Sequence, residues 1–278
     1  MAQTAPLGAM PLYTHLDRIA RGLAAKGIGP HDRIPPEQLF ALDQWHYHGT
    51  AAIEAAATRL ALGPQSRVLD VGSGVGGPAR YLAHTWGCRV TALELQPQLD
   101  AIAQDLTRRS GLGDRVTHVC GDALSQPVQE ASYDAVVSWL AIVHIPERPR
   151  LMARLAKALR PDGGCFVEDL CMRAAFAPAD LRDVRDIVCA ATITRIDDYV
   201  ADLRAGGFVD VVATDLTGDW APYAAARLTA WRAGHAEYAG VHGEGAYSAQ
   251  EQFYSVIARL YGSGALGGVR LVASVPPG

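Results

Sequence analysis

The stretch Arg67–Arg80, RVLDVGSGVGGPAR, constrains this chain more than any other. Val68–Val71 is a short apolar run that reads as a buried strand. Gly72, Gly74, Gly76 and Gly77 then predict a tight turn, and Pro78 suits the first turn of a following helix. Glycines at such a turn let the backbone approach a ligand closely. Gly72, Gly74 and Gly77 also satisfy G-x-G-x-x-G, so a dinucleotide site has to be weighed.

Asp70 discriminates between ligands. It stands at the end of the strand, two positions before the first glycine. A dinucleotide would place an anionic pyrophosphate here, against a carboxylate that repels it. A ligand carrying an ammonium and a sulfonium, such as S-adenosylmethionine, would be attracted. Asp70 can also cap the turn through loop amides, and the two roles coexist.

Around this unit the chain alternates. Strands are expected at Cys88–Leu93, Arg115–Cys120, Tyr133–Ser138, Cys165–Glu168, Phe208–Leu216 and Leu271–Val275. Helices are expected from Leu12 to Lys26, Ala51 to Leu62, the glycine turn to Trp86, Pro97 to Ser110, Arg148 to Leu159, Pro178 to Ala190, and Ile196 to Gly206. A long helical insertion follows from Ala221 to Leu260. Alternation of this kind predicts an α/β fold: a Rossmann-like, seven-stranded, mostly parallel sheet with helices on both faces. N-terminal and late helical segments are added as lids.

Composition narrows the function. A chain of 278 residues can bury a full core. A net charge of −4 gives no electrostatic case for nucleic acid. No apolar run approaches the roughly 20 residues that span a bilayer. The start, MAQTAPLGAM, lacks the basic n-region of a signal peptide. Five cysteines without close CxxC pairs suit reduced thiols, hence a cytoplasmic protein. The nine histidines show no metal-ligand spacing, and no metal is expected.

Candidate ligand residues fall at strand ends. Glu94 lies about twenty residues after the glycine turn, where doubly wound folds meet a ribose. Gln96 can add a hydrogen bond there, beside Leu95. Gly121-Asp122-Ala123 follows the third strand; Asp122 can accept from an exocyclic amine, or simply cap its turn. Ser138-Trp139-Leu140 opens at the carboxyl edge of the fourth strand, and His144 follows as a candidate general base. Trp45, His46, Tyr47 and His48 form a dense cluster read either as core packing or as a lid over substrate, with only two of the four expected to face one site. Tyr223, Arg227 and Trp231 share a helix face. Arg227 there could hold a substrate carboxylate between aromatic walls.

The ordered set VLDVGSGVGGPAR, VTALEL, GDA, YDAVVS with His144, and LRPDGG resembles the class I S-adenosylmethionine-dependent methyltransferases. The string GSGVGGPARYLA and the late histidine are similar to small-molecule N-methyltransferases of the sarcosine/dimethylglycine type. By this resemblance Gly72, Ser73 and Gly74 line the methionine part of the cofactor. Glu94, with Leu95 and Gln96, binds ribose; Asp122 and Ala123 meet adenine; Ser138 contributes its backbone. Members of that group carry a polar Gln-Asp pair where this chain has Trp139-Leu140, so a more apolar substrate side is expected.

The implied organisation is a single methyltransferase domain, with a helical lid over residues 1–65, a cofactor core over 66–170, and completing strands over 171–278 that carry an insertion at 219–264. The expected activity is methyl transfer to a small metabolite, first an amine. The alternative is an oxygen or carbon acceptor on a small aromatic or apolar molecule. More remote are an NAD(P)-dependent oxidoreductase and a non-catalytic binding protein. Trp45, Tyr47, His48, Trp139, Tyr223 and Arg227 are the substrate candidates, and His144 the catalytic one. S-adenosylmethionine is the expected cofactor and S-adenosylhomocysteine its product. A small molecule is the expected partner, with no membrane; a homodimer is the assembly considered.

Overall fold

The computed structural model describes residues 6–278. Residues 1–5, the start of the segment read above against a signal peptide, lie outside the described residues. In chain order come α1 (Arg18–Ala25), α2 (Pro36–Leu39), α3 (Thr50–Arg59), β1 (Arg67–Val71), α4 (Gly77–Trp86), β2 (Arg89–Glu94), α5 (Pro97–Arg109) and β3 (Val116–Cys120). Then follow β4 (Tyr133–Trp139), α6 (Arg148–Ala158), β5 (Leu159–Met172), α7 (Pro178–Asp186), α8 (Ile196–Ala205) and β6 (Val209–Asp215). Helices α9 (Thr217–Ala233), α10 (His235–His242) and α11 (Glu244–Gly262) precede β7 (Leu266–Ser274).

The seven strands form one sheet in the order β3-β2-β1-β4-β5-β7-β6. Strands β1 to β5 are parallel, whereas β7 runs antiparallel to both β5 and β6. The expected fold class is therefore the observed one. From β1 the chain moves outward through β2 and β3, then returns to place β4 on the other side of β1. That reversal opens a crevice at the carboxyl ends of β1 and β4, where open α/β sheets bind ligands.

The central strands are apolar because helices cover both faces. Val68, Leu69 and Val71 of β1 are at most 1% exposed, each such side chain contributing about 1.5–3 kcal/mol by burial. One core lies under α6 and α8, with Leu151, Leu155, Tyr199 and Leu203. The other lies under α3 and α4, with Ile53, Ala56 and Leu82. A separate cluster joins the late helices to the sheet through Tyr47, Trp220, Leu260, Tyr261 and Leu266.

Three local expectations change. The N-terminal helix begins only at Arg18; before it, Pro11–Tyr13 is a 3-10 turn. The Thr14 hydroxyl donates to the Pro11 carbonyl at 2.9 Å, a local bond that competes with helix continuation. The insertion is three helices rather than one run, broken at Gly234 and at Gly243, whose φ is 88°. Finally, β5 begins at Leu159 rather than Cys165 and takes in Arg160–Gly164 as an irregularity: Tyr133 and Ala135 pair with Leu159 and Gly164, and Asp162 takes a left-handed φ of 62°. Among the described residues, no helix is long and apolar enough to cross a membrane.

Candidate active site

The glycine turn builds one end of a cavity. Amides of Gly72 and Ser73 both donate to the Leu93 carbonyl, at 2.9 and 3.0 Å, which ties the turn to the end of β2. Gly72 has a φ of +73°, and a Cβ there would lie 2.2 Å from the Ala141 side chain. Gly74 is different: a Cβ on it would meet nothing within 4 Å. Its bare backbone faces space, the arrangement a close-approaching ligand needs.

Asp70 sits behind this turn, 1% exposed, with Oδ2 lacking a hydrogen-bond partner among the described residues. Burial, aided by the Glu94 charge, pushes its pKa up to about 8. The Ser73 hydroxyl and the Gln96 side-chain amide are likewise buried without partners. Glu94 is 5% exposed and accepts from the Gly74 amide at 2.8 Å and the Gln96 amide at 2.9 Å. Each carboxylate oxygen keeps a lone pair for a hydroxyl donor. An orphaned carboxylate, orphaned neutral groups and an open glycine fit the ammonium, carboxylate and ribose of S-adenosylmethionine. Asp70, Ser73, Gly74, Glu94 and Gln96 are the residues that would hold it.

Of the cofactor candidates, Asp70, Gly72, Ser73 and Gly74 line this cavity; Glu94, Leu95, Gln96, Asp122, Ala123 and Ser138 do not. Asp122 is exposed, and its Oδ1 accepts from the Leu124 amide at 2.9 Å, the turn-capping arrangement. Ala123 is buried beside it, and Leu95 is 52% exposed. The Ser138 hydroxyl donates to the Val71 carbonyl at 2.8 Å, so its side chain joins β4 to β1.

The raised Asp70 gives a pH prediction. Its unfolded pKa is near 3.8, so between about 4 and 8 the folded state binds the extra proton. That contribution to stability is present below about 4 and is lost as pH rises through about 8. A cationic ligand beside Asp70 favours the carboxylate instead. Cofactor binding at pH 7 should therefore release close to one proton, measured by calorimetry in buffers of different ionisation heat. Asp70→Asn should abolish the release; an unchanged value in that variant would remove Asp70 from the ammonium site.

Beyond the turn, the cavity encloses about 1020 Å³ of empty space, part of it open to solvent. Its walls are mostly apolar: Leu12, Val143, Leu170, Phe253 and Ile257 contribute from four separate segments. Trp139 and His144 line it from the β4 end, Trp45 and Tyr47 from the N-terminal segment, and Arg227 from α9. His46 also lines it, so three of the four clustered residues face one site rather than two. Its Nε2 lies 2.9 Å from the Gly49 carbonyl, and burial pushes its pKa down to about 4. Tyr47 stacks on Trp220 at 4.3 Å. His48 and Tyr223 do not line the cavity. His48 turns toward Asp219, 2.8 Å away, and Tyr223 packs behind Tyr47 and against His48.

His144 has a fixed orientation. Its Nδ1 is 3.0 Å from the Cys189 carbonyl, which has no proton to give, so Nδ1 carries the hydrogen. Burial pushes the ring's pKa down, against the pull of the Cys189 and Leu140 carbonyls. The neutral ring thus presents a basic Nε2. Asp169 holds the turn that carries it: its carboxylate accepts from the Val143 amide at 2.7 Å, the Leu170 amide at 2.8 Å and the Tyr199 hydroxyl at 3.0 Å. Burial pushes Asp169 up to about 7 despite these bonds. His48, Leu140 and Cys189 all adopt left-handed φ near this cavity. Such strain in non-glycine residues persists where the surrounding structure enforces it.

The N-terminal wall is locked down by a buried ion pair. Asp43 Oδ2 and Arg80 Nη2 are 2.8 Å apart, with both side chains fully buried. Arg80 also donates to the Val75 carbonyl at 2.6 Å and the Thr107 hydroxyl at 3.2 Å. A Cβ on Gly77 would lie 2.3 Å from the Asp43 carbonyl, so the segment sits directly on the start of α4. Tyr13, from the 3-10 turn, also lines the cavity, and the Glu94 charge helps raise its pKa. The expected N-terminal helix hid Tyr13, and nothing in the sequence flagged Asp43.

Comparison with known proteins agrees with this geometry. A family model described as a methyltransferase domain matches residues 68–163. The chain is 30% identical over 186 residues to Methyltransferase GfsG of Streptomyces halstedii, covering 66% of this chain and 67% of that protein. It is 32% identical over 157 residues to sarcosine/dimethylglycine N-methyltransferase of Halorhodospira halochloris, 56% of each chain. Among solved structures, phosphoethanolamine N-methyltransferase 2 of Haemonchus contortus superposes with a TM-score of 0.81 at 18% identity, covering 98% of this chain and 61% of that one. The chain thus spans little more than half the length of two of these three.

Proposed function

The chain belongs to the class I S-adenosylmethionine-dependent methyltransferases, and on that premise we propose that its acceptor is a hydroxyl on a largely apolar small molecule, with His144 as the base. The observation that carries this reading is a neutral, oriented imidazole in an apolar cavity. An amine acceptor that arrives as an ammonium needs a carboxylate to hold it. Among the described cavity residues the acids are Asp43, tied to Arg80, and Asp70, at the cofactor end. Neither is free on the acceptor side.

The bound cofactor supplies a methyl group already activated on a sulfonium. The protein's residues then supply approach geometry and a dry site. His144 Nε2 would take the hydroxyl proton as the acceptor oxygen receives the methyl group that the cofactor would supply. Trp139, Leu140 and Val143 line the cavity with His144. A hydroxyl is a poor nucleophile until deprotonated, so a positioned base contributes about 10²–10⁴-fold.

A second reading is an amine that carries a carboxylate, the first expectation from the sequence. Arg227 favours it, since it lines the cavity. Matched acceptor pairs decide between them, with S-adenosylhomocysteine release as the signal: aromatic and alicyclic alcohols against amines of the same skeleton. Turnover confined to the hydroxyl members is the expected result. Turnover confined to the amines would overturn the oxygen reading.

A further inference from the structure

We propose that the methyl acceptor carries a carboxylate or phosphate, and that this anion is held in a second cavity, beside the first, by Arg18 and Arg227. The proposal rests on reading the larger cavity as the acceptor site. The second cavity has about 630 Å³ of empty space and lies between α1, the stretch before Trp45, and the late helices. It shares Leu12, Trp45, Arg227 and Tyr254 with the larger one, so the two cavities adjoin along these four residues.

Arg18 is the unusual residue. It is 8% exposed, and its Nε and Nη2 have no hydrogen-bond partner among the described residues. Its guanidinium lies 3.8 Å from the centre of the Trp45 ring. Buried charges are ordinarily paired, because leaving water without a counter-charge is costly. Here the nearest candidate in sequence, Asp17, turns away to Arg21 at 2.6 Å and is half exposed. Among the described residues, no Asp or Glu lines the cavity. Burial pushes the Arg18 pKa down, and only tyrosine hydroxyls, those of Tyr254, Tyr238 and Tyr13, oppose it.

The rest of the wall suits an anion. Arg227 Nη2 donates to the Tyr254 hydroxyl at 3.0 Å, which orients its guanidinium over that ring. Tyr238 is fixed by a hydrogen bond from the Gln250 side chain. His242 offers an Nδ1 without a partner. Two arginine forks with phenolic neighbours match the planar, multi-acceptor edge of a carboxylate or phosphate. An uncharged ligand would leave Arg18 unpaired. Trp45 against its other face then acts as a rigid backing.

The test is a titration of the S-adenosylhomocysteine-loaded protein with sodium benzoate, inorganic phosphate and benzyl alcohol, read by tryptophan fluorescence. Saturable binding of at least one anion is expected, with benzyl alcohol insensitive to changes at Arg18. Preference for benzoate assigns the site to a carboxylate, and preference for phosphate to a phosphate ester. Arg18→Met should weaken anion binding at least tenfold, the order expected for a lost charge-assisted bond. Arg18→Lys, which keeps the charge, should recover part of it, and both variants should bind S-adenosylhomocysteine as the parent does. If neither anion binds, or if Arg18→Met binds them as well as the parent, the subsite is overturned. Neutral hydroxyl acceptors still turning over in that case would leave the reading of the larger cavity standing.

Discussion

Asp43→Ala should destabilise the protein by about 3–5 kcal/mol, the usual cost of stranding one member of a buried ion pair. Arg80 would keep its bonds to the Val75 carbonyl and the Thr107 hydroxyl, but its charge would have no counterpart in a fully buried site. The loss is a large fraction of the 5–15 kcal/mol that stabilises a typical protein of this kind. The consequence reaches the site, because Trp45, His46 and Tyr47 follow Asp43 directly and line the cavity. Urea denaturation should show the lowered midpoint, and S-adenosylhomocysteine should bind more weakly to the variant at a temperature where it remains folded. The double variant Asp43→Leu/Arg80→Met should lie closer to the parent than Asp43→Ala does, since it removes both charges. A single variant within about 1 kcal/mol of the parent would show that Arg80 is satisfied by its carbonyl partners alone.

His144→Ala should lower kcat on a hydroxyl acceptor by about 10²–10³, while KM for S-adenosylmethionine changes little. The pH profile separates a base from a packing residue. In the parent, burial holds the imidazole below its usual pKa, so activity should be level through neutral pH and fall only on the acid side of 6.5. In the variant, a phenolic acceptor must ionise by itself. Its rate should then climb with pH toward the phenol's own pKa near 10. A variant with reduced activity but the parent's profile would mean that His144 shapes the wall without taking the proton. Asp169→Asn offers a contrast: it should reduce kcat by displacing the turn that carries His144, leaving the acid limb's origin in the same imidazole.

The sheet was legible because its signals are local. A strand, a glycine turn and a proline-started helix announce β1 and α4 within one short stretch, and Asp70 and Glu94 mark the carboxyl ends of β1 and β2. Asp70 and Glu94 could be picked out on spacing and charge alone. The acceptor side was less legible because it is assembled from distant segments. Tyr13, His46 and Tyr254 come to line one cavity, with Arg18 in the cavity beside it, only when the N-terminal turn, the Trp45 stretch and α11 converge. In the sequence, Arg18 is an ordinary charge within the amphipathic helix expected from Leu12 to Lys26; its burial depends on α10 packing on α1. Asp122 shows the opposite limit: a turn cap and an adenine contact have the same sequence signature, and the bond from the Leu124 amide is compatible with both.

The placement of β7 has a consequence for how the molecule is made. This strand fills the gap between β5 and β6, yet the ribosome produces it after both, and after the three helices that complete the cavity. Until β7 emerges, β5 and β6 each present an unpaired edge, and α9 and α11 lack the strand they pack against. The cofactor half, from β1 to β5, can pair its strands while synthesis continues; the acceptor half must wait. Nascent chains stalled before Leu266 would therefore hold two open strand edges, one on each side of the missing strand, the condition under which chains capture one another rather than themselves.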